Sequence, residues 1–246
     1  MELVANVFAQ SIQHVIEEDG ILSAERGDAK LAAVFNMDQT AIYIDMAGKT
    51  TIDFIGSFTV DVQQATGIKL PPLIVFAGIP GGPVSQEVWN PMFGSPGADH
   101  AVQKKTFCNE VVMKELPTAA LDSLKVHKMA SVRVAIDQCC TQVQFVPPGI
   151  TGLCQPMDIA VMKPFKDAFR YEAVSRAPPG HLFPASTSEK RALMSGFVVE
   201  AWNAVKPETI VKGFARAGVI PTGPRNQDGR FRVASIEADA PLVQDD

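Results

Sequence analysis

The sequence predicts an α/β protein in which a mixed sheet is flanked by helices and covered by further helices from the C-terminal part. Two observations lead to this prediction. Short β-prone segments alternate with segments of helical periodicity between Leu31 and Arg176, whereas residues 186–218 show helical periodicity only. The composition, 46% hydrophobic and 20% charged over 246 residues, is typical of a folded globular protein and excludes a disordered or fibrous one.

The first half of the chain predicts one helix followed by extended segments. Residues 3–16 place apolar side chains at helical spacing. A short apolar run at residues 31–35 predicts a buried strand, and Asp38 follows it. Residues 49–62 and 73–77 are rich in β-branched and aromatic side chains, which favours further strands.

The second half predicts four helices and a short strand at residues 143–146. The helices are expected at residues 128–140 and from Pro156, Ser186 and Pro207 onwards. Ser186 and Glu189 have the spacing of a capping box. Pro164 lies inside the helix that begins at Pro156, so we expect an irregularity there.

Charge and cysteine content narrow the functional classes. The net charge is −5, so the chain as a whole does not attract nucleic acid by charge alone. Residues 100–176 are an exception, with 10 lysines and arginines against 7 acids. The 4 cysteines form no CxxC pair, which argues against a disulfide scaffold or a structural zinc site. No secretory signal or membrane-spanning run is visible, so we expect a soluble intracellular protein.

Three aspartates stand at positions where α/β proteins build sites. Asp38 follows a predicted strand, Asp122 follows an apolar run, and Asp158 lies in the first turn of a predicted helix. Three carboxylates brought together repel one another unless a cation lies between them, and oxygen-only ligands select hard ions such as Mg²⁺. The alternative is local: each aspartate is a turn, a helix cap or a partner of a helix dipole.

Three motifs, in this order, resemble the DDE superfamily endonuclease domain, the transposase core of the pogo and mariner type that is also found in jerky- and centromere-protein-B-like proteins. The motifs are Asn36-Met-Asp38-Gln-Thr40, Leu121-Asp122-Ser123 with His127, and Leu153-Cys-Gln-Pro-Met-Asp158 with Lys163-Pro-Phe-Lys166. The last two acids are 36 positions apart, as in that group.

The resemblance implies an RNase H-like fold and a nuclease and strand-transfer site that uses two Mg²⁺ or Mn²⁺ ions. Asp38 would bridge both ions, while Asp122 and Asp158 would each hold one. Asn36 has two interpretations, since it either orients Asp38 or satisfies backbone groups near the strand end. The family also implies a nuclear location, and oligomers are possible.

Basic residues near the second and third acids are candidates for DNA backbone contacts. They are Lys125, His127, Lys128, Lys163, Lys166 and Arg170. The alternative for each lysine or arginine is an ordinary solvated surface, and for His127 a partly buried helix histidine.

Two departures from the family pattern indicate internal deletions and an incomplete sheet. Polar residues 63–66 stand where relatives have a further apolar strand, the central partner between the first and third strands. We expect residues 54–62 to move into that vacant place. Residues 112–121, with Pro117, replace a longer helix and a strongly apolar strand before Asp122. We therefore expect weak or absent cleavage by this chain.

Two functions remain open. One is a metal-dependent endonuclease, and the other is a catalytically inactive, domesticated or decaying remnant that binds nucleic acid or a protein. A haloacid-dehalogenase-like phosphatase is excluded because Thr40 stands where that chemistry needs a second aspartate.

The expected domains are an N-terminal helix or linker at 1–30, the core at 31–221 and a flexible tail at 222–246. Residues 1–30 are too few for the paired helix-turn-helix module with which the family binds DNA, so we expect low affinity for DNA.

Overall fold

The computed structural model describes residues 1–41, 57–104, 121–122, 144–176, 186–227 and 229–233, and these residues form a mixed α/β fold as predicted. The strands are β1 (Phe35–Ala41), β2 (Ser57–Gln64), β3 (Leu73–Ala77), β4 (Asp99–Gln103), β5 (Leu121–Asp122) and β6 (Phe145–Val146). The α-helices are α1 (Glu2–His14), α2 (Asp28–Ala32), α3 (Pro83–Val88), α4 (Thr151–Cys154), α5 (Met162–Ser175), α6 (Thr187–Ala204) and α7 (Pro207–Ala217). The helix predicted at residues 128–140 lies outside the described residues.

Strands β1 to β4 form one sheet in the order β1-β2-β3-β4. The first two pairings are antiparallel and the third is parallel. Strand β2 pairs with β1 along its whole length, from Phe35 opposite Gln64 to Ala41 opposite Phe58. The expectation that residues 54–62 take the place between the first and third strands is confirmed for the described residues 57–62. The polar residues continue β2 because its backbone groups pair with β1, and the Gln63 side chain is fully buried.

The first strand begins later than the sequence predicted. Leu31 and Ala32 belong to the short helix α2, and β1 starts at Phe35 and continues to Ala41. Asp38 is consequently inside the strand and does not follow it. The physical reason is pairing: the whole Phe35–Ala41 segment is in register with β2, which outweighs the weak local preference of its polar residues for extended structure.

A second, two-stranded sheet consists of β5 and β6, which are parallel. Strand β5 lies next to β1. The segment before it, residues 105–120, lies outside the described residues, so the second departure from the family pattern stays a prediction.

Helices α5, α6 and α7 form the predicted helical layer and fill the core beside the sheet. Phe165, Phe197, Phe214 and Trp202 are all buried there, with the rings of Phe165 and Trp202 5.8 Å apart and perpendicular. The predicted capping box at the start of α6 is confirmed, since Ser186 and Glu189 each accept a hydrogen bond from the other's backbone N–H.

The junction between α6 and α7 is held by the segment that precedes β3. The Lys69 ammonium donates hydrogen bonds to the carbonyls of Trp202 (2.5 Å) and Val205 (2.7 Å), at the C-terminal end of α6. The Trp202 indole N–H donates in return to the carbonyl of Leu70, at 2.9 Å. The helical layer is thereby fixed to the sheet by polar as well as apolar contacts.

The N-terminal helix continues as a π-helical turn, Val15–Asp19, before α2. Ile12 and Ile16 belong to the main core. None of the helices in the described ranges is long and apolar enough to cross a membrane.

Candidate active site

Asp38 lies in the middle of β1 and is 8% exposed. Alternation along a strand places it on the same face as Asn36 and Thr40, and both of these polar residues are also buried. Its Oδ1 accepts a hydrogen bond from the backbone N–H of Gln39, at 2.8 Å. The strand therefore presents a buried carboxylate flanked by polar side chains.

Asp158 lies in a π-helical turn, Met157–Val161, that leads into α5, and it is exposed. This turn is tied to β1. The Asn36 side-chain oxygen accepts a hydrogen bond from the Met157 N–H at 3.1 Å, and the Gln155 amide nitrogen donates to the Met37 carbonyl at 3.5 Å. Asp38 and Asp158 are thus carried by two segments that contact each other directly.

Helix α7 supports the same turn from another side. Gly213 packs so closely against it that a Cβ at this position would lie 2.9 Å from the Pro156 carbonyl oxygen and 3.2 Å from the Ala160 Cβ. The turn that carries Asp158 is therefore held between the polar side chains of β1 and the backbone of α7.

The backbone of Asp122 is placed in β5, beside β1 and opposite Val146 of β6. Its side chain is not among those the structure describes. Within the described ranges, no group of three or more His, Cys, Asp or Glu side chains is close enough to hold a metal ion. The structure thus brings the segments of the three predicted acids together without assembling a three-carboxylate cluster among the described side chains.

The donor set of the site fits a hard divalent cation. Asp38 and Asp158 offer only oxygen atoms, and the polar side chains beside them are amides and a hydroxyl. The nearby thiol of Cys154 is buried, and burial raises its pKa to about 11, so it stays protonated and is a poor ligand at neutral pH.

Three of the predicted DNA-contacting residues lie on the outer face of α5. Lys163, Lys166 and Arg170 are exposed. Asp167 lies between them, 2.7 Å from the Lys163 ammonium and 3.9 Å from the Arg170 guanidinium. The hydrogen bond from Lys163 holds the pKa of Asp167 below its usual range, so this carboxylate stays charged and offsets part of the positive face. Lys125, His127 and Lys128 lie outside the described residues.

Sequence reasoning missed Gln155 and Gln63, which are both fully buried beside these contacts. Gln155 stands three positions before Asp158, and Gln63 is the register partner of Asn36. Gln63 stands in a polar run and Gln155 between a short helix and the π-helical turn, so the sequence carries no local signal that either side chain is buried.

Comparison with known proteins agrees with the motifs. Residues 102–214 match the family model of the DDE superfamily endonuclease, which confirms the predicted resemblance. The matched stretch contains Asp122, Asp158 and α5, and it begins after Asp38.

Two curated relatives are described as pogo transposable element with KRAB domain. The human protein is 26% identical over 251 residues, which cover 90% of this chain and 41% of the relative. The mouse protein is 25% identical over 235 residues, which cover 83% of this chain and 38% of the relative. This chain therefore spans less than half the length of either relative. No solved structure matches it.

Proposed function

We propose that this chain, whose residues 102–214 match the DDE superfamily endonuclease, is a transposase-derived domain that binds DNA and cuts its phosphodiester bonds at a divalent-cation site. Asp38, Asp122 and Asp158 are the proposed ligands, and Mg²⁺ or Mn²⁺ the proposed ions. An RNase H-like fold for residues 31–221 and a nuclear location belong to the same proposal and rest on the family resemblance.

The observation that supports this proposal best is the contact between β1 and the turn before α5. The Asn36–Met157 hydrogen bond joins the segments of Asp38 and Asp158, which are 120 positions apart in the chain. Nothing in the local sequence requires two such distant segments to contact each other. Two neighbouring carboxylates favour a bound cation because their mutual repulsion otherwise raises the free energy of the ionised pair.

The two acids have different surroundings and therefore different proposed tasks. Asp38 is buried and hydrogen-bonded to the backbone, so it fixes the position of the cation. Asp158 is exposed and faces solvent, from which DNA would approach. A bound divalent cation supplies Lewis acidity towards an attacking water or hydroxyl and towards the leaving oxygen of a phosphodiester.

The outer face of α5 is the proposed contact surface for DNA. Lys163 is five positions and Arg170 twelve positions beyond Asp158, so both lie along one helical rod that starts at the acid. At a rise of about 1.5 Å per residue, the distance from Asp158 to Arg170 is roughly 18 Å, about five base pairs of a duplex. With Asp167 compensating part of the charge, we expect this surface to bind DNA weakly.

A second candidate function is an inactive remnant that binds DNA without cutting it. The observation that favours it is the sequence before Asp122, where residues 112–121 with Pro117 stand in place of the longer helix and strongly apolar strand of the family. A catalytic site needs its ligands placed within about 0.5 Å, so a shifted third acid would leave binding without cleavage.

A nicking assay on supercoiled plasmid DNA with Mg²⁺ or Mn²⁺ separates these functions. We expect slow, metal-dependent conversion to the open-circular form that is lost in Asp38→Asn and Asp158→Asn. Asp99→Asn is the matched control, because it makes the same substitution at an exposed aspartate of β4, at the edge of the main sheet opposite β1. Equal cleavage by the Asp38→Asn variant would overturn the endonuclease proposal, and DNA binding without any cleavage would support the remnant.

A further inference from the structure

Buried amide side chains surround the contact between β1 and the turn that carries Asp158. Asn36 is 1% exposed, and Gln63 and Gln155 are 0% exposed. A buried amide is costly unless its polar atoms are hydrogen-bonded. Within the described part of the chain, the Gln155 oxygen and both polar atoms of the Gln63 amide have no hydrogen-bond partner. These glutamines are therefore not explained by stability.

Among the described residues, the Gln155 side chain makes one hydrogen bond, and it is to β1. Its amide nitrogen donates to the carbonyl of Met37, the residue directly before Asp38. Gln155 itself stands three positions before Asp158. The contact thus links the segments that directly precede the two acids, and it acts in parallel with the Asn36–Met157 hydrogen bond.

We infer that Gln155 is a positioning residue of the proposed cation site: it holds the turn of Asp158 against β1 so that the carboxylates of Asp38 and Asp158 reach the same ion. This inference rests on the proposed function. Asp38 is adjacent to the acceptor residue Met37, and adjacent Cα atoms are 3.8 Å apart, so a shift of the turn along β1 changes the separation of the acids directly.

A positioning role and a purely structural role of Gln155 predict different effects of a substitution on cation binding. If Gln155 served only the fold, replacing it by a side chain of similar shape without polar atoms would leave cation binding unchanged. If Gln155 positions the ligands, the same substitution weakens cation binding, because the hydrogen bond that orders the ligands is lost. It does not lower stability, because burial of the amide costs desolvation free energy. Side chains that hydrogen-bond to metal ligands and orient them contribute about 10–100-fold to metal affinity.

The test is a Mn²⁺ titration of the whole chain, with free Mn²⁺ followed by electron paramagnetic resonance. Gln155→Met is the variant, and Gln63→Met is the matched control, because it makes the same substitution at an equally buried glutamine whose amide, among the described residues, makes no hydrogen bond to the turn. We expect Gln155→Met to melt at or above the wild-type temperature and to bind Mn²⁺ about 10–100-fold more weakly. Gln63→Met is expected to retain the wild-type affinity.

The outcomes distinguish this inference from the proposed function. Unchanged affinity in Gln155→Met, together with loss of binding in Asp38→Asn, overturns the role of Gln155 and leaves the cation site standing. No Mn²⁺ binding by the wild type, or wild-type binding by Asp38→Asn, overturns both. If Gln155→Met does not fold, Gln155→Asn replaces it, since that side chain keeps its polarity but is one CH₂ too short to reach Met37, and the same loss of affinity is expected.

Discussion

Glu17 and Lys30 form an ion pair inside the protein, with 2.8 Å between the carboxylate oxygen and the ammonium nitrogen. They are 1% and 4% exposed. The pair joins the π-helical turn after α1 to α2, directly before β1 begins. Removing one partner leaves the other charge buried and uncompensated. The resulting loss in free energy of unfolding is much larger than the contribution of the complete pair.

This pair gives a prediction at the scale of single residues. Lys30→Met should lower the free energy of unfolding by about 3–5 kcal/mol, because Glu17 is left buried and uncompensated. The double variant Glu17→Leu/Lys30→Met should recover most of that loss. Urea unfolding of the wild type, both single variants and the double variant measures the difference. If the double variant lost as much free energy of unfolding as the two single variants together, the two charges would not interact.

Residues with local signals were the ones predicted correctly. Ser186 and Glu189 are three positions apart, which is the local spacing of a capping box. The partners of Asn36 and Lys69 could not be predicted, because each contacts a backbone group more than a hundred positions away.

At the scale of elements, the helix that carries Asp158 is irregular for a reason visible in the sequence. Proline has no backbone N–H, so Pro164 cannot donate to the carbonyl four residues earlier, that of Ala160. The structure accommodates this with the π-helical turn Met157–Val161 followed by α5, in which Pro164 occupies the first turn. The irregularity was predictable, whereas its consequence, the presentation of Asp158 at the junction, was not.

The position of β1 shows why element bounds were harder to predict. The apolar run at residues 31–35 has the composition of a buried strand, yet Leu31 and Ala32 are helical. The strand instead consists of alternating residues, with Met37 on one face and Asn36 and Asp38 on the other, and all three are buried. A strand buried on both faces with polar residues on one of them resembles a surface strand in sequence.

The packing of α7 on the turn of Asp158 predicts opposite effects for two glycine substitutions. Gly213→Ala places a methyl group 2.9 Å from the Pro156 carbonyl, and overpacking costs about 1–3 kcal/mol, more than the gain in helix propensity of about 1 kcal/mol. Gly196→Ala in α6 has no atom within 4 Å of the new Cβ, so only the gain remains. Thermal unfolding should show a lower midpoint for Gly213→Ala and a higher one for Gly196→Ala, and the reverse order would contradict this packing.

At the scale of the whole molecule, the proposed site depends on three segments that are distant in sequence. Asp38 comes from the main sheet, Asp122 from the small sheet beside it, and Asp158 from the turn before the helical layer. The motifs and their order indicated the three acids, and the α/β fold with its helical layer followed from periodicity. The placement of residues 57–62 between β1 and β3 agrees with the expectation, whereas the register and the continuation of β2 through Gln64 could not be predicted, because strand pairing is a long-range property.

Anomalous diffraction from crystals grown with Mn²⁺ tests the shared cation site most directly. We predict an anomalous peak within about 2.3 Å of a carboxylate oxygen of Asp38 and of a carboxylate oxygen of Asp158, with Asp122 as a further ligand of the same site. Crystals of Asp38→Asn are expected to lose that peak. A structure in which Mn²⁺ is bound elsewhere, with the carboxylates of Asp38 and Asp158 too far apart to share an ion, would contradict the account.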